Sequence, residues 1–415
     1  KPTLIDFLKK GKFMVVLDES HHIKNPEGVT ASTALRIAPS AKKRMILTGT
    51  MMPNKIDDIW TQFTFLYPDM SILGTFSNFS FQNERRNAEE LTREVYHLFT
   101  RVGQGTLNLP RADIDLVPLD MSETQKRIYA AMRAHVIDNT RMSFADLMAT
   151  SRWRRNCICW LIEAATDPSL LPHRGGGEIE IMALSPDTPN LEGTSLDEAI
   201  REYANPNSGD YEIPAKIDKA IELAKESIRK GEKILLWCTF INSLHRLKQE
   251  LDGFLEENGN APAIEIWGKV PRDSEMNDQW NREDEIEKFK SSSEHNVLIA
   301  NPASLAESVS LHKTCHHAVY VDRTYNCGNF VQSMQRIHRI GLPPNHKDGD
   351  TRYTILQSNG TIDFDIDRIL DLKLTRMRRF LNEDELGVLE LDLHYGMLSD
   401  NSAEENNAFR SVLGF

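Results

Sequence analysis

The chain has 415 residues, 27% charged and 40% hydrophobic, with a net charge of −12 and five cysteines. That length predicts two or three domains at roughly 150 residues each, and the acidic balance excludes wholesale electrostatic coating of nucleic acid, leaving local basic grooves for any such contact. Sparse cysteines read as a reducing compartment, while the lack of any apolar run near the ~20 residues that span a bilayer, or of a secretory signal, excludes membrane-spanning helices.

The first predicted element is the apolar run Phe13-Met14-Val15-Val16-Leu17, ending abruptly in Asp18-Glu19-Ser20-His21. It reads as a buried strand that presents two carboxylates at its C-terminal end, the sheet edge where α/β proteins bind ligands. Adjacent acids suit nucleotide hydrolysis, the first holding Mg²⁺ through water and the second orienting the attacking water. A second strand, Met45-Ile46-Leu47, runs into Thr48-Gly49-Thr50 and then Pro53-Asn54, a tight turn at the same edge. Its hydroxyls are placed to bond the acids or a nucleic-acid phosphate. Ile59, Trp60, Phe63 and Leu66 then form a core-facing helical stripe.

Residues 71–213 break the strand–helix alternation and are expected to be largely helical. Ser122 and Gln125 make a capping-box signature before a helix carrying Ile128, Tyr129 and Met132. Arg152-Trp153-Arg154-Arg155 is the most basic spot of this region, and Cys157 and Cys159 point to different faces of a helix. From Pro172 to Ile213, glycines (Gly175-Gly176-Gly177), prolines and acids predict a long insertion.

Near Pro214 the alternation returns. Ile217, Ile221, Ala224 and Ile228 stripe a helix that stops at Lys230-Gly231. Strands are predicted at Ile234–Cys238, Ala263–Trp267, Val297–Ala300, Ala318–Val321 and Tyr353–Leu356, with helices between most of them, which implies a mostly parallel sheet covered on both faces. His312, Cys315, His316 and His317 raise a zinc site, but they lack paired Cys-x-x-Cys spacing. Gln332, Arg336 and Arg339 stand at i, i+4 and i+7, so a helix would place them on one face, as suits guanidinium groups stabilising a transferring γ-phosphate. Ile362, Ile366, Ile369, Leu370 and Leu374 stripe a last helix, and Asp400 to Asn407 form a polar tail.

In this order the elements resemble the Swi/Snf-type helicase-like ATPases. Asp18-Glu19-Ser20-His21 is similar to that family's Asp-Glu-x-His box, Leu47 to Asn54 to its Leu-Thr-Gly-Thr-Pro-x-x-Asn element with Met51 at the proline, and Gln332 to Gly341 to its arginine motif ending His-Arg-Ile-Gly. Leu119 to Tyr129, Pro214 to Ile217 and Lys233 to Phe240 resemble intervening segments. The resemblance implies an α/β fold of two RecA-like lobes with parallel sheets: residues 1–70 in an incomplete first lobe, 71–213 a helical protrusion and insertion, 214–360 a second lobe, and 361–415 a brace helix and tail. It implies ATP and Mg²⁺ at Asp18, Glu19, Arg336 and Arg339, with His21, Thr48, Gly49, Thr50, Gln332 and Ser308 binding nucleotide or coupling it to the track. Asn301, Ser304 and Thr50 would touch double-stranded DNA.

Two departures stand out. The phosphate-cradling Gly-x-x-x-x-Gly-Lys-Ser/Thr loop does not occur, Gly11-Lys12-Phe13 lacking both the hydroxyl and the following helix; with Lys1 in place of an initiator Met, a fragment is expected. Ala306-Glu307-Ser308-Val309-Ser310-Leu311 also replaces the family's Gly-rich turn. The leading expectation is an ATP-driven translocase on duplex DNA. It is plausibly bacterial, cytoplasmic and nucleoid-associated (nuclear if eukaryotic), with protein partners of a multi-subunit system and roles in phage defence, restriction, repair or remodelling of DNA-bound proteins. The rivals are a DNA- or partner-binding module that hydrolyses nothing, and a strand-separating helicase or RNA-polymerase recycling ATPase on the same lobes.

Overall fold

A computed structural model describes residues 4–52, 55–69, 72–83, 88–100, 109–141, 151–171, 194–205, 207–209, 212–268, 270, 281–305 and 309–381. Pro53, Asn54, the Gly175–Gly177 run, Ser308 and the tail from Asp400 therefore lie outside the described residues.

The chain begins with α1 (Leu4–Lys9), β1 (Met14–Leu17), α2 (Val29–Ile37), β2 (Lys43–Ile46) and α3 (Trp60–Leu66). β1 and β2 pair in parallel, Leu17 opposite Ile46, so both strands deliver their following loops to the same edge. Val15, Leu17 and Ile46 pack with Ile23, Ala31, Ala34 and Phe65 from the helical side. The opposite face is bare: Met14 and Val16 are each 47% exposed, and Met45 and Leu47 join them. The expectation of a fully buried first strand is thus corrected. Alternation, not continuous burial, governs β1, because among the described residues only one face of this pair is covered.

Next come α4 (Phe76–Asn83), α5 (Ala88–Val95), β3 (Asp113–Leu119), α6 (Glu123–Arg141), α7 (Ser151–Thr166) and α8 (Ser195–Ala204). Ser122 caps α6 as expected, its hydroxyl accepting from the Gln125 N–H at 3.0 Å. The Gln125 amide does not close the box; it donates to the carbonyls of Ala164 and Ala165 and so ties α6 to α7. Cys157 is buried and Cys159 half-buried, on different faces as read from the sequence.

The larger unit adds α9 (Ala215–Arg229), β4 (Ile234–Trp237), α10 (Ile241–Glu257), β5 (Ile264–Ile266), α11 (Arg282–Ser291), β6 (Val297–Ala300), α12 (Pro302–Leu305), β7 (His317–Tyr320), α13 (Cys327–Met334), β8 (Arg352–Ser358) and α14 (Asp363–Leu381). Its sheet has six strands in the order β3-β8-β7-β4-β6-β5, all parallel. β3, within a stretch expected to be helical, supplies the edge strand beside β8. Every residue of β4, β6 and β7 is buried, the consequence of helices covering both faces of a parallel sheet. Leu235 and Trp237 face a core shared with α6, α7 and α14, while Ile234 and Leu236 face α9 and α10. α14 also packs against α5, fastening the end of the described chain to its earlier part.

Candidate functional site

The acid pair sits where β1 ends. The Leu47 N–H donates to the Leu17 carbonyl (2.9 Å) and the Ser20 N–H to the Leu47 carbonyl (3.0 Å), so the loops after β1 and β2 are laced together. Glu19 has φ 47° and ψ 50°, the left-handed region, a conformation that costs a non-glycine residue on the order of 1 kcal/mol and survives only where its surroundings impose it. Four bonds surround it here. The Glu19 N–H donates to Asp18 Oδ1 at 2.9 Å, the Ser20 hydroxyl donates to Gln62 Oε1 at 2.7 Å, and Gln62 in turn donates to the carbonyls of Met51 and Asp58. Ser20 and Gln62 were not singled out in the sequence. No spacing rule links them, since the contact depends on α3 crossing beneath the loop.

His21 is the hub. Its Nδ1 lies 3.2 Å from Glu19 Oε2, 3.2 Å from Thr48 Oγ1 and 3.4 Å from Thr50 Oγ1. On its other side, Nε2 faces the Gln332 amide nitrogen at 3.2 Å. With that amide donating to Nε2, the imidazole proton belongs on Nδ1, where the Thr48 and Thr50 hydroxyls can accept it and Glu19 lies at ion-pair distance. The His21 side chain beside it holds Glu19 below the usual carboxylate range; burial opposes this, and positive charge nearby, that of Arg336 included, reinforces it. Asp18 stays exposed. Gly49 has open space around it, so no crowding demands a glycine there.

Gln332 belongs to α13, but the expected single helix through Arg339 is corrected: α13 ends at Met334. Beyond it the chain tightens into a turn, the Arg336 N–H donating to the Ser333 carbonyl at 3.2 Å and the Ile337 N–H to the Met334 carbonyl at 3.3 Å. The Tyr353 hydroxyl donates to the Met334 carbonyl at 2.6 Å, and the Leu311 N–H donates to the Arg336 carbonyl at 2.8 Å. Arg336 and Arg339 therefore stand on a tight turn. The buried Arg336 donates to the Val309 carbonyl at 3.1 Å, and its charge reaches Glu19. Arg339 is exposed and donates to Ser310 Oγ at 2.7 Å.

Asn301 and Ser304 occupy a different edge, past the end of β6. The Asn301 amide donates to the Thr239 carbonyl at 2.7 Å and its Oδ1 accepts from the Ala303 N–H at 2.9 Å. Arg282 donates to the Ser304 carbonyl at 2.6 Å. The strand order reverses around β4 here, the place where open α/β sheets bind ligands.

The histidine–cysteine group is not brought together as ligands. The Cys315 thiol donates to the His317 carbonyl, while the His317 ring lies between Ser227 and Thr354 inside the core. Among the described residues no group of three or more histidines, cysteines or carboxylates is placed to hold a metal ion.

Residues 5–160 match the SNF2-related domain and residues 215–341 the helicase conserved C-terminal domain. The two matches together span well over half of the chain, in the order the motifs require. The chain belongs to the SNF2-related helicase-like proteins. Relatives include the TATA-binding protein-associated factor MOT1 of Saccharomyces cerevisiae, 22% identical over 94% of this chain and 22% of its own length. Another is the uncharacterized ATP-dependent helicase MG018 of Mycoplasma genitalium, 21% identical over 81% of this chain and 28% of its own length. The chain thus spans about a quarter of these relatives. The Sulfolobus solfataricus SWI2/SNF2 ATPase core in complex with dsDNA aligns with 98% of this chain and 74% of its own, at 19% identity and a TM-score of 0.45. Membership rests on the two domain matches.

Proposed function

We propose that this chain is the motor core of a DNA-dependent ATPase that translocates along duplex DNA, with ATP bound between the acid box and the arginine turn. The observation that carries this reading is the bridge from Glu19 through His21 to Gln332, which joins the loop after β1 to the helix that precedes Arg336. Glu19 orients the attacking water and Arg336 stabilises charge developing on the γ-phosphate, with Arg339 closing on it from the exposed side of the turn. The hydroxyls of Thr48 and Thr50 relay the state of the acid box to the track, and Asn301 and Ser304 contact phosphates of one strand.

Asp18 fits Mg²⁺ as an exposed hard oxygen ligand, since that cation takes one or two carboxylates and keeps water and substrate phosphates as its other ligands. When bound, the ion neutralises phosphate charge. The β- and γ-phosphates also need a cradle, and these 415 residues contain no phosphate-loop motif. The 415 residues alone are therefore proposed to hydrolyse ATP negligibly, and the full-length protein to do so with DNA stimulation.

The test of the track uses the full-length protein with ATP. Displacement of a triplex-forming strand from intact duplex, without unwinding of a fork, is the expected result. Fork unwinding without triplex displacement would transfer the assignment to a strand-separating helicase, and a preference for RNA would favour a transcription-linked role.

A further inference from the structure

Five buried charges meet at the carboxyl edge of the large sheet: Lys216 in α9, Asp322 and Arg323 just past β7, and Asp363 and Asp367 in the first turns of α14, each at most 7% exposed. Lys216 pairs with Asp363 at 2.5 Å, and Arg323 pairs with Asp367, which also accepts from Gln357. Three acids against two bases leave one negative charge in excess, and Asp322 carries it. Its Oδ1 accepts from the Thr239 N–H at 2.6 Å, but its Oδ2 has no hydrogen-bond partner. A buried carboxylate oxygen in that state is costly. Thr239 is in turn the residue whose carbonyl accepts from Asn301, so Asp322 stands between the edge proposed to hold a nucleic-acid phosphate and the start of α14, the helix that reaches α5.

We propose that Asp322 is a positioning residue that links occupancy of the Thr239–Asn301 edge to the anchoring of α14, by competing with Asp363 for the Lys216 ammonium. The inference rests on the reading of that edge as a phosphate contact. A phosphate seated there adds negative charge beside Asp322 and disfavours its carboxylate. A proton taken from solvent then resides on Oδ2, the carboxyl still accepts from Thr239, and Lys216 neutralises Asp363 alone. The anchor tightens through Asp363 Oδ2, which also accepts from the Ser358 N–H at 2.7 Å.

The charge state is within reach. Burial pushes the Asp322 carboxyl up to about 6, against the bonds from Thr239 and Phe240 and the charge of Lys216. The other ionisable groups around it are Cys238, whose thiol burial and Asp322 both push well up, and the charged members of the cluster itself. Besides Lys216 the one cation among these is Arg323, and it is paired with Asp367.

The experiment is hydrogen–deuterium exchange of the chain across pH, corrected for the intrinsic rate, read at residues 358–367. Protection is expected to rise about threefold or more as pH falls through about 6. Asp322→Asn, close to isosteric, should hold the protected state at every pH, whereas Lys216→Met should move the wild-type midpoint upward by removing a favourable charge. A wild-type slope retained in Asp322→Asn, or an unmoved midpoint in Lys216→Met, overturns the competition. Calorimetry of duplex binding near neutral pH, in two buffers of different ionisation enthalpy, then reads proton uptake. Uptake by the wild type that shrinks in Asp322→Asn supports the link to the edge, and equal uptake in both overturns it. Failure of the wild type to bind duplex would instead reject the proposed function, while the exchange profiles still decide the competition.

Discussion

At Glu19, the left-handed backbone, the His21 bond and the nearby Arg336 charge converge on one carboxylate and keep it ionised. In the full-length protein, Glu19→Gln is expected to abolish hydrolysis while leaving Mg²⁺-ATP binding largely intact, since it keeps the shape and loses the negative oxygen that orients water. Steady-state turnover beside nucleotide affinity checks this, and near-wild-type turnover would assign the water to another residue. His317 makes a separate, structural statement. Burial pushes its imidazole down to about 4, aided by the charges of Arg352 and Lys230. The unfolded chain therefore binds the proton more readily than the folded one, and stability is lost as pH falls from about 6.5 towards about 4. At roughly 1.4 kcal/mol per pKa unit this is on the order of 3 kcal/mol. Asp322, shifted the other way, contributes the opposite slope over part of that window. Denaturant unfolding at stepped pH should show a shallower acid loss in His317→Gln than in the wild type.

Among the elements, the sheet strands were the most legible. Ile234–Trp237, Val297–Ala300 and Arg352–Ser358 fall within a few residues of their expected places, because continuous apolar runs have one stable home in a parallel sheet covered on both sides. α9 ends at Arg229, just before the expected stop at Lys230-Gly231, where a φ of 72° at Gly231 is one a side chain resists. The misses have physical causes. Spacing carried a helix through Arg339, yet the chain tightens into a turn after Met334, where Tyr353 and Leu311, remote in sequence, bond the Met334 and Arg336 carbonyls. β1 reads as a core strand, yet Met14 and Val16 face outward. Leu236→Ala, in a core filled from both sides, should therefore cost about 2–5 kcal/mol in denaturant unfolding of the described chain. Val16→Ala should cost no more than about 0.5 kcal/mol. Equal losses would mean that the outer face of β1 is covered in solution.

Across the whole molecule, what the sequence displayed was the chemistry of the site, and what it withheld was the pairing. Asp18, Glu19, His21, Gln332 and Arg336 were all picked out as candidates, but the meeting of His21 with Gln332 depends on tertiary structure that no motif encodes. The same holds for Lys216 and Asp322, which no motif connects. Under the proposed function, a bridge of this kind would make hydrolysis depend on the approach of the two halves, so a ligand favouring that approach would accelerate turnover through its differential affinity for the two states. Single-turnover ATP hydrolysis by the full-length protein, with and without saturating duplex DNA, measures that dependence. Duplex is expected to accelerate the wild type, and Arg336→Ala to lose roughly 10³-fold with only partial rescue by Arg336→Lys, because an ammonium does not reproduce the guanidinium fork. A wild-type rate indifferent to duplex, or an Arg336→Ala rate close to wild type, would contradict a catalytic site shared between the acid box and the arginine turn.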